Sequence, residues 1–290
     1  MKTLTLGSIG YRILRSVKQS WNRSIIYRAN AYQLPCSANA MPDKAAMSLF
    51  CIDNKEIICW KTNTDNYVSV PKDYRQEWTR FRIRWWKKLL RIHESVNLEN
   101  DVIAYKFQQC KNKQELNNVF ENCLNTNNDQ VTISVENMFS DDDRFIFHIN
   151  VHTAMRVFLF DAFNKREIGD RQLLELHSEL CPFHFSIFYN EQDNKAKEMA
   201  LYFQSRLGAC GLYGCSYCSD KSLQQAEANS DGIGIPVMVI FNDESSKNGF
   251  CDVRLLSTGI CEKVHYAVLP KWLFDYYNIA FVSRPNIKTN

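Results

Sequence analysis

The stretch from Ile235 to Phe241 is apolar almost without interruption. A strand with one face in water alternates polar and apolar residues, so an unbroken run predicts a central strand that is buried on both faces. Farther upstream, Phe183–Tyr189 has apolar residues at every second position, which predicts another strand. Between these strands, Ala196–Leu207 carries apolar residues three and four positions apart, the spacing of an amphipathic helix. The C-terminal third of the chain is therefore predicted to be an α/β module.

Further signals complete a predicted order of β-α-β-α-β-β-α for this module. The segment Asn242–Gly249 ends in Asn-Gly, which predicts a loop or hairpin turn before the next strand. The other predicted elements are a short apolar stretch around Leu212–Tyr213, a polar helix at Lys221–Ala228, a strand at Cys251–Leu256 and a last helix from about Glu262 to Tyr277.

This order carries a family resemblance. Asp231–Pro236 enters the buried strand and Gly249–Thr258 follows the turn, a pattern that resembles the anticodon-binding domain of class II aminoacyl-tRNA synthetases. Within that superfamily, the closer similarity is to the accessory subunits of mitochondrial DNA polymerase gamma. Gln76–Lys88 is similar to the Trp-rich basic helix of that family, and Phe158–Phe163 is similar to the segment before its linker. The resemblance covers roughly residues 40 to 280.

The resemblance implies an α/β (α+β) fold in two domains. Residues 31–178 would form a degenerate, abbreviated class II synthetase-like domain built on an antiparallel sheet. Residues 179–290 would form an anticodon-binding-like domain with a mixed sheet. Within the first domain, the hydrophobic pattern predicts strands at Val131–Val135 and Arg144–Val151, helices near Gln114–Leu124 and at Thr153–Phe163, and a helical connection at Arg171–Leu180.

The N-terminal segment differs in composition from the rest of the chain. Up to Pro42 it contains six basic residues and no acidic one. Such a weakly amphipathic, acid-free segment predicts a mitochondrial transit peptide or a disordered region over residues 1–30, and a protein of the mitochondrial matrix or its nucleoid. A basic arm that binds nucleic acid is the alternative. Removal of the six charges would change the formal net charge from +3 to −3, so any affinity for nucleic acid would need a local basic patch.

One predicted helix supplies such a patch. At about 100° per residue, its aromatic and aliphatic residues fall on an arc of about 80°, which predicts a buried face. Its basic residues occupy a separate arc of about 100°, which suits contact with the phosphates of duplex DNA, although a solvated face without a ligand is the alternative. The first arc holds Trp78, Phe81, Trp85, Leu89 and Ile92, and the second holds Arg80, Arg84, Lys87, Lys88 and Arg91.

Metal and cofactor sites are not predicted. The 11 cysteines are scattered and odd in number, which favours reduced thiols over a disulfide framework. Cys210, Cys215 and Cys218 could supply three thiolates, but a structural zinc site needs a fourth ligand, so a cluster of small buried residues is the preferred interpretation. His148 and His152, four residues apart on a predicted strand, are a weaker candidate pair.

Catalysis is not predicted either. A class II synthetase holds ATP with one arginine in a Phe-Arg-x-Glu motif and another after a glycine-rich turn. The first motif is absent, and Arg156 lies near the expected position of the second but lacks the glycines. No phosphate-binding loop, nucleophile elbow or zinc-protease motif occurs.

The resemblance implies a non-catalytic accessory (processivity) subunit that binds the catalytic subunit of the mitochondrial DNA polymerase and strengthens its hold on primer-template DNA. We expect a monomer that forms a one-to-one heterodimer, without a membrane segment, since no apolar run approaches the ~20 residues of a spanning helix. Partner contacts are predicted from position in the module at Arg254, Lys263, His265 and Lys271, which could equally be ordinary surface residues. The alternatives are a mitochondrial tRNA-binding or aminoacyl-tRNA synthetase-like protein and an interaction module of another mitochondrial assembly.

Overall fold

The computed structural model describes residues 6–31, 47–52, 55–63, 72–92, 96–99, 102–107, 123–125, 131–141, 144–168, 171–217 and 222–278. These residues form a mixed α/β protein with one antiparallel sheet and one mixed five-stranded sheet, which confirms the predicted fold class at that level. The chain divides into two compact units, Met1–Ala162 and Phe163–Asn290. Among the described residues, no helix is long and apolar enough to cross a lipid bilayer.

The first unit is built on the antiparallel sheet. Its strands are β1 (Met47–Ile52), β2 (Lys55–Asn63), β3 (Val96–Glu99), β4 (Val102–Phe107), β5 (Cys123–Asn125), β6 (Val131–Asp141) and β7 (Arg144–Asn150). They follow the order β1-β2-β7-β6-β4-β3, with β5 paired to β6. The helices of this unit are α1 (Ser8–Ala31), α2 (Lys72–Leu89) and α3 (Val151–Ala162). The predictions of β6, β7 and α3 are confirmed. Most of the helix predicted near Gln114–Leu124 lies outside the described residues, and the last two residues of that prediction, Cys123 and Leu124, belong to strand β5.

The junction between β7 and α3 corrects one sequence prediction. The Asn150 side-chain oxygen accepts a hydrogen bond from the backbone N–H of Thr153 at 3.1 Å, which satisfies a donor of the first helical turn. The strand therefore ends at Asn150, and His152 lies on the helix. The predicted placement of His148 and His152 on one strand face is wrong.

The second unit contains the mixed sheet and a two-stranded hairpin. Its strands are β8 (Phe163–Ile168), β9 (Arg171–Leu174), β10 (Phe185–Tyr189), β11 (Gly214–Tyr217), β12 (Val237–Phe241), β13 (Phe250–Leu255) and β14 (Cys261–His265). Strands β8 and β9 form the hairpin. The five-stranded order is β11-β10-β12-β13-β14, in which the first three strands are parallel and the last two pair antiparallel. The helices are α4 (Asn194–Ala209), α5 (Leu223–Ile233), α6 (Asp243–Asn248) and α7 (Leu269–Tyr276).

Strand β12 is buried along its whole length, as its apolar sequence predicts. On one face, Phe241 stacks on Phe203 of α4 with ring centroids 5.8 Å apart. On the other face, Met238 and Ile240 pack against Ala226 of α5. Helices thus cover both faces of the sheet at this strand.

The segment between the two predicted domains is not helical throughout. Arg171–Leu180 begins with strand β9 and ends in a short 3₁₀ helix at Ser178–Leu180. Strand β9 packs closely on the end of α5, since a Cβ atom added at Gly234 would lie 2.7 Å from the carbonyl oxygen of Leu174. The division between the compact units accordingly falls after Ala162, whereas the sequence placed it between residues 178 and 179.

Two further elements differ from prediction. The segment predicted as a loop contains α6, in which Asn242 and Ser245 form a reciprocal capping box and Gly249 ends the helix at a φ of 78°. The predicted last helix instead consists of β14, which pairs with β13, followed by α7, which begins at Leu269 with Pro270 in its first turn.

Candidate nucleic-acid and partner-binding surfaces

Helix α2 buries its aromatic side. Trp78, Trp85 and Leu89 are buried as predicted, and Trp86 is also completely covered. The Trp86 ring stacks on Phe158 of α3, with ring centroids 4.9 Å apart and planes at 15°. The rings are therefore part of the core of the first unit, where no nucleic-acid base could reach them.

Ile92 does not share this burial. It lies beyond the end of α2 and is 42% exposed, so its predicted place on the buried arc is wrong. The helix ends at Leu89, and the carboxylate of Asp161 then accepts hydrogen bonds from the backbone N–H groups of Arg91 and Ile92. The same carboxylate accepts a hydrogen bond from the Tyr105 hydroxyl at 3.1 Å. Asp161 thus fixes the chain where it leaves the helix.

A buried arginine anchors the same side of α2. Arg82 is 0% exposed, and its Nε and one terminal nitrogen donate to the two carboxylate oxygens of Glu136 on β6 at 2.7 and 3.1 Å. Glu136 also accepts hydrogen bonds from the indole N–H groups of Trp21, at 3.2 Å, and Trp86, at 2.7 Å. The Arg82 guanidinium lies 4.6 Å from the ring centroid of Trp85. This cluster joins α1, α2 and β6 and fixes the rotation of α2 about its axis.

The basic side of α2 faces outward as a consequence. Arg80, Arg84 and Lys88 are exposed, while Lys87 is half-buried. Arg91 is exposed but follows the end of the helix, which corrects its predicted place on the helical arc. Three of the five predicted phosphate-binding residues therefore form an accessible row on the helix itself, with Lys87 beside it. We call Arg80, Arg84 and Lys88 the basic row.

The predicted transit peptide overlaps a structured helix. Residues 8–31 form α1, in which Ile13, Leu14, Val17 and Trp21 are buried. Since Trp21 also donates to Glu136, the helix belongs to the core of the first unit. Residues 8–30 are therefore helical and not disordered, while the transit peptide predicted for residues 1–30 stays a prediction.

Arg254 is not available as a surface contact. It is 6% exposed, and its two terminal nitrogens donate to the two carboxylate oxygens of Asp231 at 2.7 and 2.9 Å. Burial alone would lower the pKa of Arg254, but the ion pairs with Asp231 and Glu227 raise it overall. The side chain joins β13 to α5, so we correct its predicted role as a partner contact to an internal one.

The other predicted partner contacts are accessible. Lys263 is exposed on β14 and pairs with Glu244, an interaction that raises the pKa of the lysine. His265, two residues along the same strand, is half-buried and stacks on Tyr266 with ring centroids 4.7 Å apart. Lys271 is exposed on α7. The structure thus places two of these residues together on one strand and the third on the following helix.

The structure offers no support for a metal or ATP site in the part it describes. Cys210 is exposed and Cys215 half-buried, both as free thiols, while Cys218 lies outside the described residues. No group of three or more metal-binding side chains occurs among the described residues. Arg156 lies half-buried on α3, and burial lowers its pKa.

The burial of Arg82 could have been predicted from its position in the sequence, although an arginine is usually expected on the surface. Arg82 lies four residues after Trp78 and four before Trp86, both of which are buried, so helical periodicity places it on the buried side. No comparable pattern identified Glu136, because β6 buries neighbouring residues on both of its faces, including Thr132 and Ile133.

Comparison with known proteins adds no assignment: the chain matches no protein-family model and no curated protein. The basic row, the accessible residues of β14 and α7, and the resemblance described above are the basis for a functional proposal.

Proposed function

We propose that this protein is a non-catalytic accessory subunit of the mitochondrial DNA polymerase. It binds the catalytic subunit in a one-to-one complex and strengthens its hold on primer-template DNA. In this role it acts in the mitochondrial matrix and needs neither a catalytic residue nor a cofactor of its own.

The observation that carries the proposal is the orientation of α2. The buried pair of Arg82 and Glu136 holds the aromatic side inward, so the basic row points to solvent from a rigid helix. Cations spaced along such a helix bind phosphates by displacing condensed counterions, with little dependence on base sequence. A processivity factor needs this kind of contact, because it has to hold DNA without selecting a sequence.

The second unit supports the partner part of the proposal. Its mixed five-stranded sheet agrees with the anticodon-binding-like architecture that the resemblance implies. Around β13 and β14, exposed apolar residues such as Phe250 and Tyr266 lie in the same region as Lys263 and His265. Exposed aromatic residues beside charged ones are typical of protein interfaces. We therefore place the contact with the catalytic subunit on this side of the unit.

The physical basis of the effect is avidity. A complex held to DNA at two places dissociates only when both contacts open together, so the second contact acts at a high effective concentration. Each ~1.4 kcal/mol of additional attachment lengthens residence on DNA about tenfold if association is unchanged. Modest contacts from the basic row are therefore sufficient to lengthen the products of each binding event.

Primer extension by the polymerase catalytic subunit tests the proposal. With a trap for dissociated enzyme, we expect the full-length chain to lengthen products at moderate salt, and the Arg80→Ala/Arg84→Ala/Lys88→Ala variant to lose much of this gain while still binding the catalytic subunit. Unchanged product lengths together with no complex on size-exclusion chromatography would refute the proposal. Tight binding of tRNA in place of duplex DNA in the same assay would favour the tRNA-binding alternative.

A further inference from the structure

A cleft opens on the second unit between α4, α6 and the end of β14. It has a volume of about 450 Å³. This volume falls within the ~300–1,000 Å³ of small-ligand pockets. Its lining consists of Met199, Tyr202, Phe203, residues 245–249, His265 and Tyr266. The function proposed above does not use this cleft as a ligand site.

Four aromatic rings line the cleft, those of Tyr202, Phe203, His265 and Tyr266. Tyr202 and Tyr266 are 56% and 39% exposed, although large aromatic side chains are usually more deeply covered. The Phe203 ring, which is buried, lies 6.3 Å from Tyr266 between centroids. His265 stacks on one face of Tyr266 and the Arg206 guanidinium lies over one face of Tyr202, so a planar group would stack on the remaining face of each ring.

One cation lines the cleft and a second contacts one of its lining residues, Tyr202. Lys247 lines the cleft and is exposed. Arg206 donates a hydrogen bond to the Tyr202 hydroxyl at 2.8 Å, and its guanidinium lies 5.8 Å from the centroid of that ring. Within the described residues, neither Lys247 nor Arg206 forms an ion pair, whereas the nearby Glu244 is paired with Lys263. Lys247 is therefore available to an anionic group in the cleft, and Arg206 adds a second positive charge beside Tyr202.

The walls of the cleft are fixed before any ligand binds. Ser246 of α6 donates to the Asp193 carboxylate at 2.7 Å, and the same carboxylate caps α4, so the two helices are tied together. A Cβ atom added at Gly249 would lie 2.6 Å from His265 Nε2 and 2.8 Å from Tyr266 Cε1. The backbone at Gly249 therefore packs tightly against both rings. A prebuilt site of this kind requires little ordering when it binds a ligand.

We propose that this cleft binds a nucleotide unit, with the planar base against Tyr202 and Tyr266 and the phosphate towards Lys247 and Arg206. The same chemistry is supplied by a free nucleotide or by one residue of a single strand. An apolar peptide would use the rings but would leave both cations without a function. The inference involves neither the basic row nor duplex DNA, but the cleft shares His265 and Tyr266 with the proposed partner surface. The test therefore uses the chain without the catalytic subunit, so its outcome is separate from that of the primer-extension experiment.

The test uses the full-length Arg80→Ala/Arg84→Ala/Lys88→Ala variant, which removes phosphate binding by the basic row. Calorimetric titration with AMP and dTMP measures the free nucleotides, and fluorescence anisotropy with labelled oligothymidylate measures the strand. We expect at least one probe to bind, and Tyr202→Ala/Tyr266→Ala to weaken its binding at least tenfold. Lys247→Glu, a change at an exposed position that leaves the core intact, should weaken it at least threefold. The matched control is Tyr213→Ala, since Tyr213 is exposed but does not line the cleft.

The probes also distinguish the two sources. Saturable binding of AMP or dTMP assigns a site for free nucleotides, whereas binding of the oligonucleotide alone assigns a site for a strand residue. Absence of both, or binding that the Tyr202→Ala/Tyr266→Ala and Lys247→Glu changes leave untouched, would overturn the inference. Binding of an acidic tyrosine-containing peptide that Tyr202→Ala/Tyr266→Ala weakens, with no nucleotide binding, would overturn it in favour of a peptide site.

Discussion

Arg82 and Glu136 are 54 residues apart in the sequence, yet Arg82 Nε lies 2.7 Å from Glu136 Oε1 at a place where neither side chain is exposed to solvent. The pair connects helix α2 to strand β6 and, through the indole N–H of Trp21, which donates to Glu136, reaches α1 as well. The orientation of the basic row therefore depends on a contact that lies entirely inside the protein.

Glu136→Ala should destabilise the first unit strongly. Removal of the carboxylate leaves the Arg82 charge buried without a partner, which costs roughly 3–5 kcal/mol in comparable cases. Urea denaturation followed by tryptophan fluorescence measures the decrease in the free energy of unfolding. The double variant Arg82→Met/Glu136→Leu should be destabilised by less than the sum of the single changes, because it leaves no unpaired charge. A decrease below about 1 kcal/mol for Glu136→Ala would contradict the anchoring role.

Trp21→Ala should show that the N-terminal helix is part of the fold. Trp21 is fully buried, and truncation of a buried tryptophan costs about 3–5 kcal/mol. We expect a lower urea midpoint for this variant, with Tyr11→Ala as the control, because Tyr11 on the same helix is exposed. The mass of the protein isolated from cells provides a second measurement, because it shows whether an N-terminal segment has been removed. A mature chain that starts after Trp21 and is equally stable would contradict the burial of α1.

The basic row should set the salt dependence of DNA binding. Removal of one cation that binds a phosphate reduces the slope of log K against log salt concentration by about 0.9, so Arg80→Ala/Arg84→Ala/Lys88→Ala should flatten it by up to about 3. Fluorescence anisotropy with duplex DNA between low and moderate salt measures this slope. Replacement of Lys195, Lys263 and Lys271, exposed lysines of the second unit, is the matched control. An identical change in both variants would show that only net charge matters.

Stability of the second unit should fall on acidification because of His184. Burial lowers the pKa of His184 below its usual 6.5, more than the backbone of Tyr213 raises it. The unfolded chain then binds the proton more readily, so the free energy of unfolding is highest above pH 6.5 and decreases as the pH falls towards the lower folded-state pKa. Urea midpoints at pH 7.5 and pH 5.5 should differ more in the wild type than in His184→Asn. Equal differences would exclude this histidine as the cause.

Much of the second unit could be predicted from the sequence because its strands and longer helices carry strong periodic patterns. Strand β12 and helix α4 are examples, since burial on two faces or on one stripe leaves a clear apolar signature. Helix α6 could not be predicted in this way, because six residues are too few to show a helical period and its stability comes from the cap at Asn242. Strand β14 exposes most of its residues, so the segment lacks the alternation that identifies strands.

The candidate surfaces were predictable only in part. The amphipathic pattern of α2 correctly separated the buried rings from Arg80, Arg84 and Lys88. The pattern could not show where α2 ends. The carboxylate that accepts hydrogen bonds from the backbone N–H groups of Arg91 and Ile92 belongs to Asp161, about 70 residues farther along the chain. Arg254 shows the same limit, since its partner Asp231 comes from a different element and nothing local distinguishes a buried arginine from an exposed one.

The burial of α1 has a consequence for the proposed targeting, because the same residues would serve both targeting and folding. If the acid-free N-terminal segment directs the protein to mitochondria, the import machinery has to recognise Leu14, Val17 and their neighbours while they are uncovered. In the folded protein those side chains are packed inside the first unit. Folding in the cytosol would then bury the targeting signal. Import would therefore depend on chaperones that keep the newly made chain unfolded until it reaches the mitochondrial membrane.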